Sequence, residues 1–121
     1  MAEVTVITGT RQVQIEQVTP TAQVSTEDPV VVTGSDIDAR SWRSVAYTVT
    51  NITQTISWWV YGANDSAFAD EVIVDGPSDV LAAAADSYAV EQAPYAYYRV
   101  KITDKVDGSH GTVTVRGIAK G

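Results

Sequence analysis

The sequence contains no cysteine. That excludes a disulfide framework and a thiolate metal site, and it leaves packing or assembly as the sources of stability. Cations are scarce. Eight lysines and arginines stand against fifteen acids, for a formal net charge of −7, and a chain so poor in phosphate-neutralising groups is not a general nucleic-acid binder. Long apolar runs are missing, so no segment is expected to span a bilayer. The opening residues Met1-Ala2-Glu3-Val4-Thr5-Val6 lack a basic stretch followed by an apolar one, and no signal peptide is expected. Gly34, Gly62 and Gly76 are isolated, so there is no phosphate-cradling glycine loop. Good helix formers are confined to Leu81–Ala85, too short for a helix that stands alone, and a turn or irregular crossing is expected there. Internal repeats and low-complexity tracts are absent.

What is present is a globular composition. Of 121 residues, 45% are hydrophobic, which suits one domain with a core of its own. The acidity keeps a small protein soluble, and it also complements a basic partner surface. Charge is spread unevenly: acids crowd Asp65 to Glu91, while Arg99, Lys101, Lys105, Arg116 and Lys120 fall near the end.

Period-two alternation predicts short strands throughout. Val45, Tyr47 and Val49 alternate with Ser44, Ala46, Thr48 and Thr50. Thr55–Tyr61 is apolar on both faces, with Trp58 beside Ile56 and Val60 on one side and Trp59 beside Tyr61 on the other. Such a strand is central in a sandwich or faces a partner. Val30–Val32, opened by Pro29 and closed by Gly34-Ser35-Asp36, is another strand, as are Glu71–Val74, broken by Asp75-Gly76-Pro77-Ser78, and Ser87–Val90. Pro94 to Gly121 reads as one hairpin. In it Tyr95, Tyr97, Arg99, Lys101 and Thr103 face one way and Tyr98, Val100 and Ile102 the other. The return strand sets Thr112, Thr114 and Arg116 against Val113, Val115 and Gly117. The expected fold is all-β: a single antiparallel β-sandwich or jelly-roll-like barrel. Residues 29–121 form its body. Residues 1–28, with Val4, Val6, Val13, Ile15 and Val18, supply an N-terminal arm or edge strands.

Reacting groups are poorly supported. The one histidine, His110, lies in Asp107-Gly108-Ser109-His110-Gly111, a loop by composition, and neighbours in a tight loop seldom aim at each other as nucleophile and base. Asp65, Asp70, Glu71 and Asp75 are numerous enough for a carboxylate pair or a calcium site. Their spacing is irregular, and alternation sends Asp70 and Glu71 to opposite faces. A solvated rim is the expectation, with no catalytic residue, no metal and no cofactor. The sequons at Asn51 and Asn64 read as turn residues.

The aromatics carry more weight. Trp42, Trp58, Trp59, Tyr61, Tyr95, Tyr97 and Tyr98 are many for so short a chain. Trp58 and Tyr98 are expected in the core. Trp59, Tyr61, Tyr95 and Tyr97 with Arg99 are the candidate contact residues, since tyrosine, tryptophan and arginine are enriched at interfaces. The same rings, Trp59, Tyr61 and Tyr95, are a candidate platform for a sugar.

Three stretches carry a likeness to a known group. They are Ser44–Asn51 with Val60-Tyr61-Gly62-Ala63-Asn64-Asp65, then Ala93–Ile102, then Gly111–Gly117. Together, over Trp42 to Lys120, they resemble small structural proteins of tailed bacteriophages. The resemblance implies a non-enzymatic virion component, for instance a capsid decoration (cement) protein on the outside of the head. Such a protein binds the major capsid protein, forms a homo-oligomer, often a trimer, and often clamps its neighbours with an N-terminal arm. By analogy of fold alone, the alternative is a carbohydrate-binding module on a phage tail or capsid, recognising a surface glycan. Neither reading calls for nucleic acid or membrane. If the chain adds an arm, the expected contacts are Val4, Val6, Val13 and Ile15.

Overall fold

The structure is a computed structural model that describes residues 15–106 and 108–121. Its elements, in chain order, are β1 (Ile15–Val24), β2 (Val30–Val31), β3 (Ile37–Asp38), β4 (Ser44–Thr50), β5 (Ile56–Ala63), β6 (Val72–Val80), β7 (Asp86–Val90), β8 (Tyr97–Asp104) and β9 (Thr112–Lys120). Two antiparallel sheets result. A four-stranded sheet runs β1-β9-β4-β7, and a five-stranded sheet runs β2-β8-β5-β6 with β3 also on β8. The chain changes sheet at nearly every connection, and among the described residues only β5 and β6 are consecutive strands paired to each other. This is jelly-roll connectivity, and the all-β sandwich expected from the alternation is what forms. Among the described residues no helix is long and apolar enough to cross a membrane.

Alternation decides what each strand buries. In β4 Val45, Tyr47 and Val49 turn inward; in β9 Val113, Val115, Gly117 and Ala119; in β8 Tyr98, Val100 and Ile102; in β5 Ile56, Trp58 and Val60. These side chains interleave as one core, with Trp58, Tyr47 and Tyr98 the largest fully buried members. Buried rings with polar atoms need partners, and they have them. Trp58 Nε1 donates to Asp86 Oδ2 at 2.9 Å, and the Tyr47 hydroxyl donates to the Ser35 carbonyl at 2.5 Å. Tyr47 fits because Gly117 stands opposite it in the ladder: a Cβ there would lie 2.7 Å from Tyr47 Cε1 and 2.9 Å from Ile37 Cδ1.

Three sequence expectations need correction. The stretch from Pro94 to Gly121 is not a hairpin. β8 pairs with β5, β2 and β3 in one sheet, while β9 pairs with β1 and β4 in the other. Period-two patterning reports which side of a strand is buried and is blind to the partner. Asp75-Gly76-Pro77-Ser78 does not end a strand either. β6 runs through it to Val80, and the irregularity is absorbed as register shifts against β5 between Trp58 and Tyr61. Gly76, at φ 108°, lies so close to β5 that a Cβ would sit 2.6 Å from the Trp58 carbonyl oxygen. Thr103 faces outward as alternation requires, yet it is buried. The segment after β1 covers it, and its hydroxyl donates to the carbonyls of Thr26 and Glu27, both at 2.9 Å. Leu81–Ala85 is the predicted crossing, a turn that carries the chain from β6 to β7.

Candidate functional site

The outer face of the five-stranded sheet is where the outward residues of β5 and β8 meet. Cross-strand register sets Trp59 against Lys101, Tyr61 against Arg99 and Ala63 against Tyr97. Next to Tyr61 on the free side is Ile73 of β6. The loop between β5 and β6 folds back over this face, and its acids hold it in shape. Asp65 accepts the amide hydrogens of Ala67 and Ala69, both at 3.3 Å, and Asp70 accepts those of Asn64 and Asp65 at 3.1–3.2 Å. Phe68, at φ 61° and buried, is pressed onto the sheet by that turn.

From the loop also comes Glu71, which sequence spacing gave no reason to place here. Its Oε1 accepts from Arg99 Nε at 3.1 Å and Nη2 at 2.5 Å, and its Oε2 from Lys101 Nζ at 2.5 Å. Burial pushes the Glu71 carboxyl up, but the hydrogen bonds and positive charge of Lys101 and Arg99 outweigh it and hold the group below its ordinary value of 4.5. Both cations sit over rings. Arg99 Cζ is 4.1 Å from the Phe68 centroid, and Lys101 Nζ is 4.4 Å from that of Tyr61. Phe68 in turn meets Tyr97 edge-on at 6.3 Å, and Arg40, paired to Asp38, caps Tyr97 at 5.2 Å. The outcome is a continuous row, Arg40–Tyr97–Phe68–Arg99–Glu71–Lys101–Tyr61. Its inner charges are only 18–20% exposed. Side chains already pinned by neighbours lose little further freedom when a partner covers them.

The structure thus brings Tyr61, Tyr97 and Arg99 together, with Trp59 beside Lys101. Tyr95 does not join them, which corrects the expectation of a common face. It precedes β8, so strand alternation does not govern it. It turns inward, edge-on to Tyr98 at 6.1 Å and against Gly62. A Trp59–Tyr61–Tyr95 sugar platform is therefore not assembled on one surface, and the Tyr61 ring is already covered by Lys101. Val4, Val6 and Val13 lie outside the described residues. Ile15 begins β1 and is paired with Lys120.

The sequence also gave no hint of a buried polar knot at one end of the sandwich. Ser25 Oγ donates to Asp104 Oδ1 at 2.5 Å, His110 Nδ1 meets Asp104 Oδ2 at 2.7 Å, and Gly111 N donates to Ser25 Oγ at 2.8 Å. Serine, histidine and aspartate are thus adjacent, but both serine and histidine are bonded to the carboxylate and not to each other. Ser25 is fully buried. A nucleophile needs its hydroxyl on the base, and here it is spent on the acid. The knot ties the end of β1 to the β8–β9 connection, and His110 partners Asp104, not Ser109. Among the described residues no three histidines or acids are grouped to hold a metal.

Fold and site together define a jelly-roll sandwich with an interlocked row of rings and charges on one outer face and no assembled nucleophile–base pair among the described residues. Solved structures share that fold. The SPBc2 prophage-derived protein YomS matches over 97% of this chain and 99% of its own, at TM-score 0.58 and 15% identity. A protein of the Bacillus endospore appendages, which form a family of disulfide-linked pili, matches over 96% and 98%, at 0.55 and 13%. PirA matches over 79% and 90%, at 0.52 and 11%. At such identities the likeness is one of fold. No protein-family model and no curated protein sequence matches the chain.

Proposed function

We propose that this protein is a non-enzymatic structural component of a phage particle, a decoration protein that binds the assembled capsid shell and stabilises it. The observation that carries the reading is the outer face of the five-stranded sheet, where aromatic rings, two cations and one carboxylate hold each other in place with little exposed charge. Such a face suits binding another protein, because its ordering cost is met during folding. A partner that binds only the assembled shell shifts the equilibrium toward the shell.

The fold shared with a prophage-derived protein and with a pilus protein supports a role in assembly. This chain carries no cysteine, so any assembly it makes relies on packing, hydrogen bonds and charge and not on disulfide links. In this reading Trp59, Tyr61, Tyr97 and Arg99 contact the major capsid protein. Val4, Val6, Val13 and Ile15 contribute an arm or edge strand to a neighbour, since an unpaired strand edge readily accepts another chain. The test is the protein's place and copy number in purified particles. Hundreds of copies on the head, released together with a loss of shell stability, is the expected result. A few copies at the tail, or none in the particle, would overturn it.

A further inference from the structure

The outer face of the four-stranded sheet is built differently. Two adjoining shallow depressions, of about 670 and 510 Å³, cross it from β7 over β4 to β9, and Ala46 and Ile118 line both. Small outward side chains, Ala46 and Ala89 side by side on β4 and β7, keep the floor low. The rim is cationic: Arg43 and Lys120 flank the larger depression and Arg116 the smaller, with Glu91 the one acid among the lining side chains. Among the described residues these three cations have no ion-pair partner, whereas Arg40, Arg99, Lys101 and Lys105 each have one.

A complementary shape lies on the same molecule. β6 is a free edge of the five-stranded sheet. Neighbours along a strand point to opposite faces, so Ile73, 53% exposed, stands on the outer face beside Tyr61, and Val72, 43% exposed, stands on the other. Three acids without an ion-pair partner among the described residues lie close to them in sequence, Asp65 and Asp70 in the loop before the strand and Asp75 within it, whereas Glu71 is paired with Arg99 and Lys101. Between Arg43 and Arg99 the chain has no lysine or arginine at all. One surface is thus a trough with an apolar floor and a positive rim, and the other is a ridge that carries an exposed isoleucine and uncompensated acids.

The geometry points to a second copy of this chain as the occupant of the trough, seated by the outer side of its β6 edge, with Ile73 over Ala46 and Ile118 and the acids against Arg43, Arg116 and Lys120. A buried apolar centre with a charged rim is the usual anatomy of a protein contact, and the paired charges set its orientation. Because trough and ridge are different surfaces, the contact is head-to-tail. It closes into a ring, such as the trimer that the resemblance to phage proteins implies, or extends as a filament. This inference rests on the assembly reading and names the surface by which copies meet.

Sedimentation velocity across a concentration series tests it. The wild-type chain is expected to self-associate at low salt and to come apart near about 1 M salt, where screening acts over about 3 Å. The double substitution Arg116→Glu with Lys120→Glu is expected to weaken association by about tenfold or more, and so is Ile73→Lys. An equimolar mixture of the two variants restores it, since the new lysine then meets the new glutamates. Circular dichroism confirms that each variant is folded. Association of the trough variant at wild-type strength, or two weakened variants that the mixture fails to rescue, overturns the proposal. So does a wild-type chain that stays monomeric throughout. If that monomer still binds heads, only this inference falls and the decoration reading stands.

Discussion

The two outer faces of this sandwich use similar residue types to opposite ends. On the five-stranded sheet, Arg99 and Lys101 are bound to Glu71 and laid over Phe68 and Tyr61, so their charge is spent within the fold. On the four-stranded sheet, Arg116 and Lys120 have no ion-pair partner among the described residues and border a hollow. A paired cation on a half-buried face belongs to the stability of the domain. An unpaired one at the edge of a hollow adds little to folding and is available to a partner. The comparison separates a face whose charges are fixed by the fold from one whose charges are left open.

The largest effect comes from removing what both faces share. Trp58 fills the space between the sheets, so Trp58→Ala is expected to cost about 3–5 kcal/mol in urea unfolding, with both faces lost together. Loss of one binding activity alone would show that the faces do not depend on a common core. A smaller and more selective effect is expected at Glu71. Glu71→Gln leaves Arg99 and Lys101 without their carboxylate and is expected to cost about 1–3 kcal/mol. The carboxyl is held below its ordinary 4.5 in the folded protein. Its contribution is therefore fully present above that value and is lost as pH falls through the lower folded one. The gap in stability between wild type and Glu71→Gln should accordingly stay constant from neutral pH down to about 5 and close under more acid conditions. A gap that widened on acidification would mean the ion pairs do not act as described. The smallest effect belongs to the open face: Arg116→Ala is expected to change stability by no more than about 0.5 kcal/mol. A cost as large as that of Glu71→Gln would erase the distinction between the two faces.

The sequence was most legible where burial alone sets the pattern. Val45, Tyr47 and Val49 in β4, and Val113, Val115 and Gly117 in β9, were readable as inward residues because a one-residue slip would turn them to water. The partners of those strands were not readable, because alternation looks the same whichever sheet a strand joins, and β8 and β9 parted for that reason. On the outer face of the five-stranded sheet, Tyr61, Tyr97, Arg99 and Lys101 could be grouped by period. Tyr95 escaped the rule by lying outside the strand. Glu71 and Phe68 were out of reach for another reason: they arrive from a loop about thirty positions away in sequence from the cations they meet, and only the turn held by Asp65 and Asp70 brings them there.

Binding through a face that is ready before its partner arrives is tested most directly at Trp59, which lies on that face opposite Lys101 and outside the core. The measurement is co-sedimentation of Trp59→Ala with empty heads lacking the protein, beside its urea midpoint. The expected outcome is a midpoint close to wild type and head binding weakened by about tenfold or more. Wild-type binding by a folded Trp59→Ala protein would contradict the account.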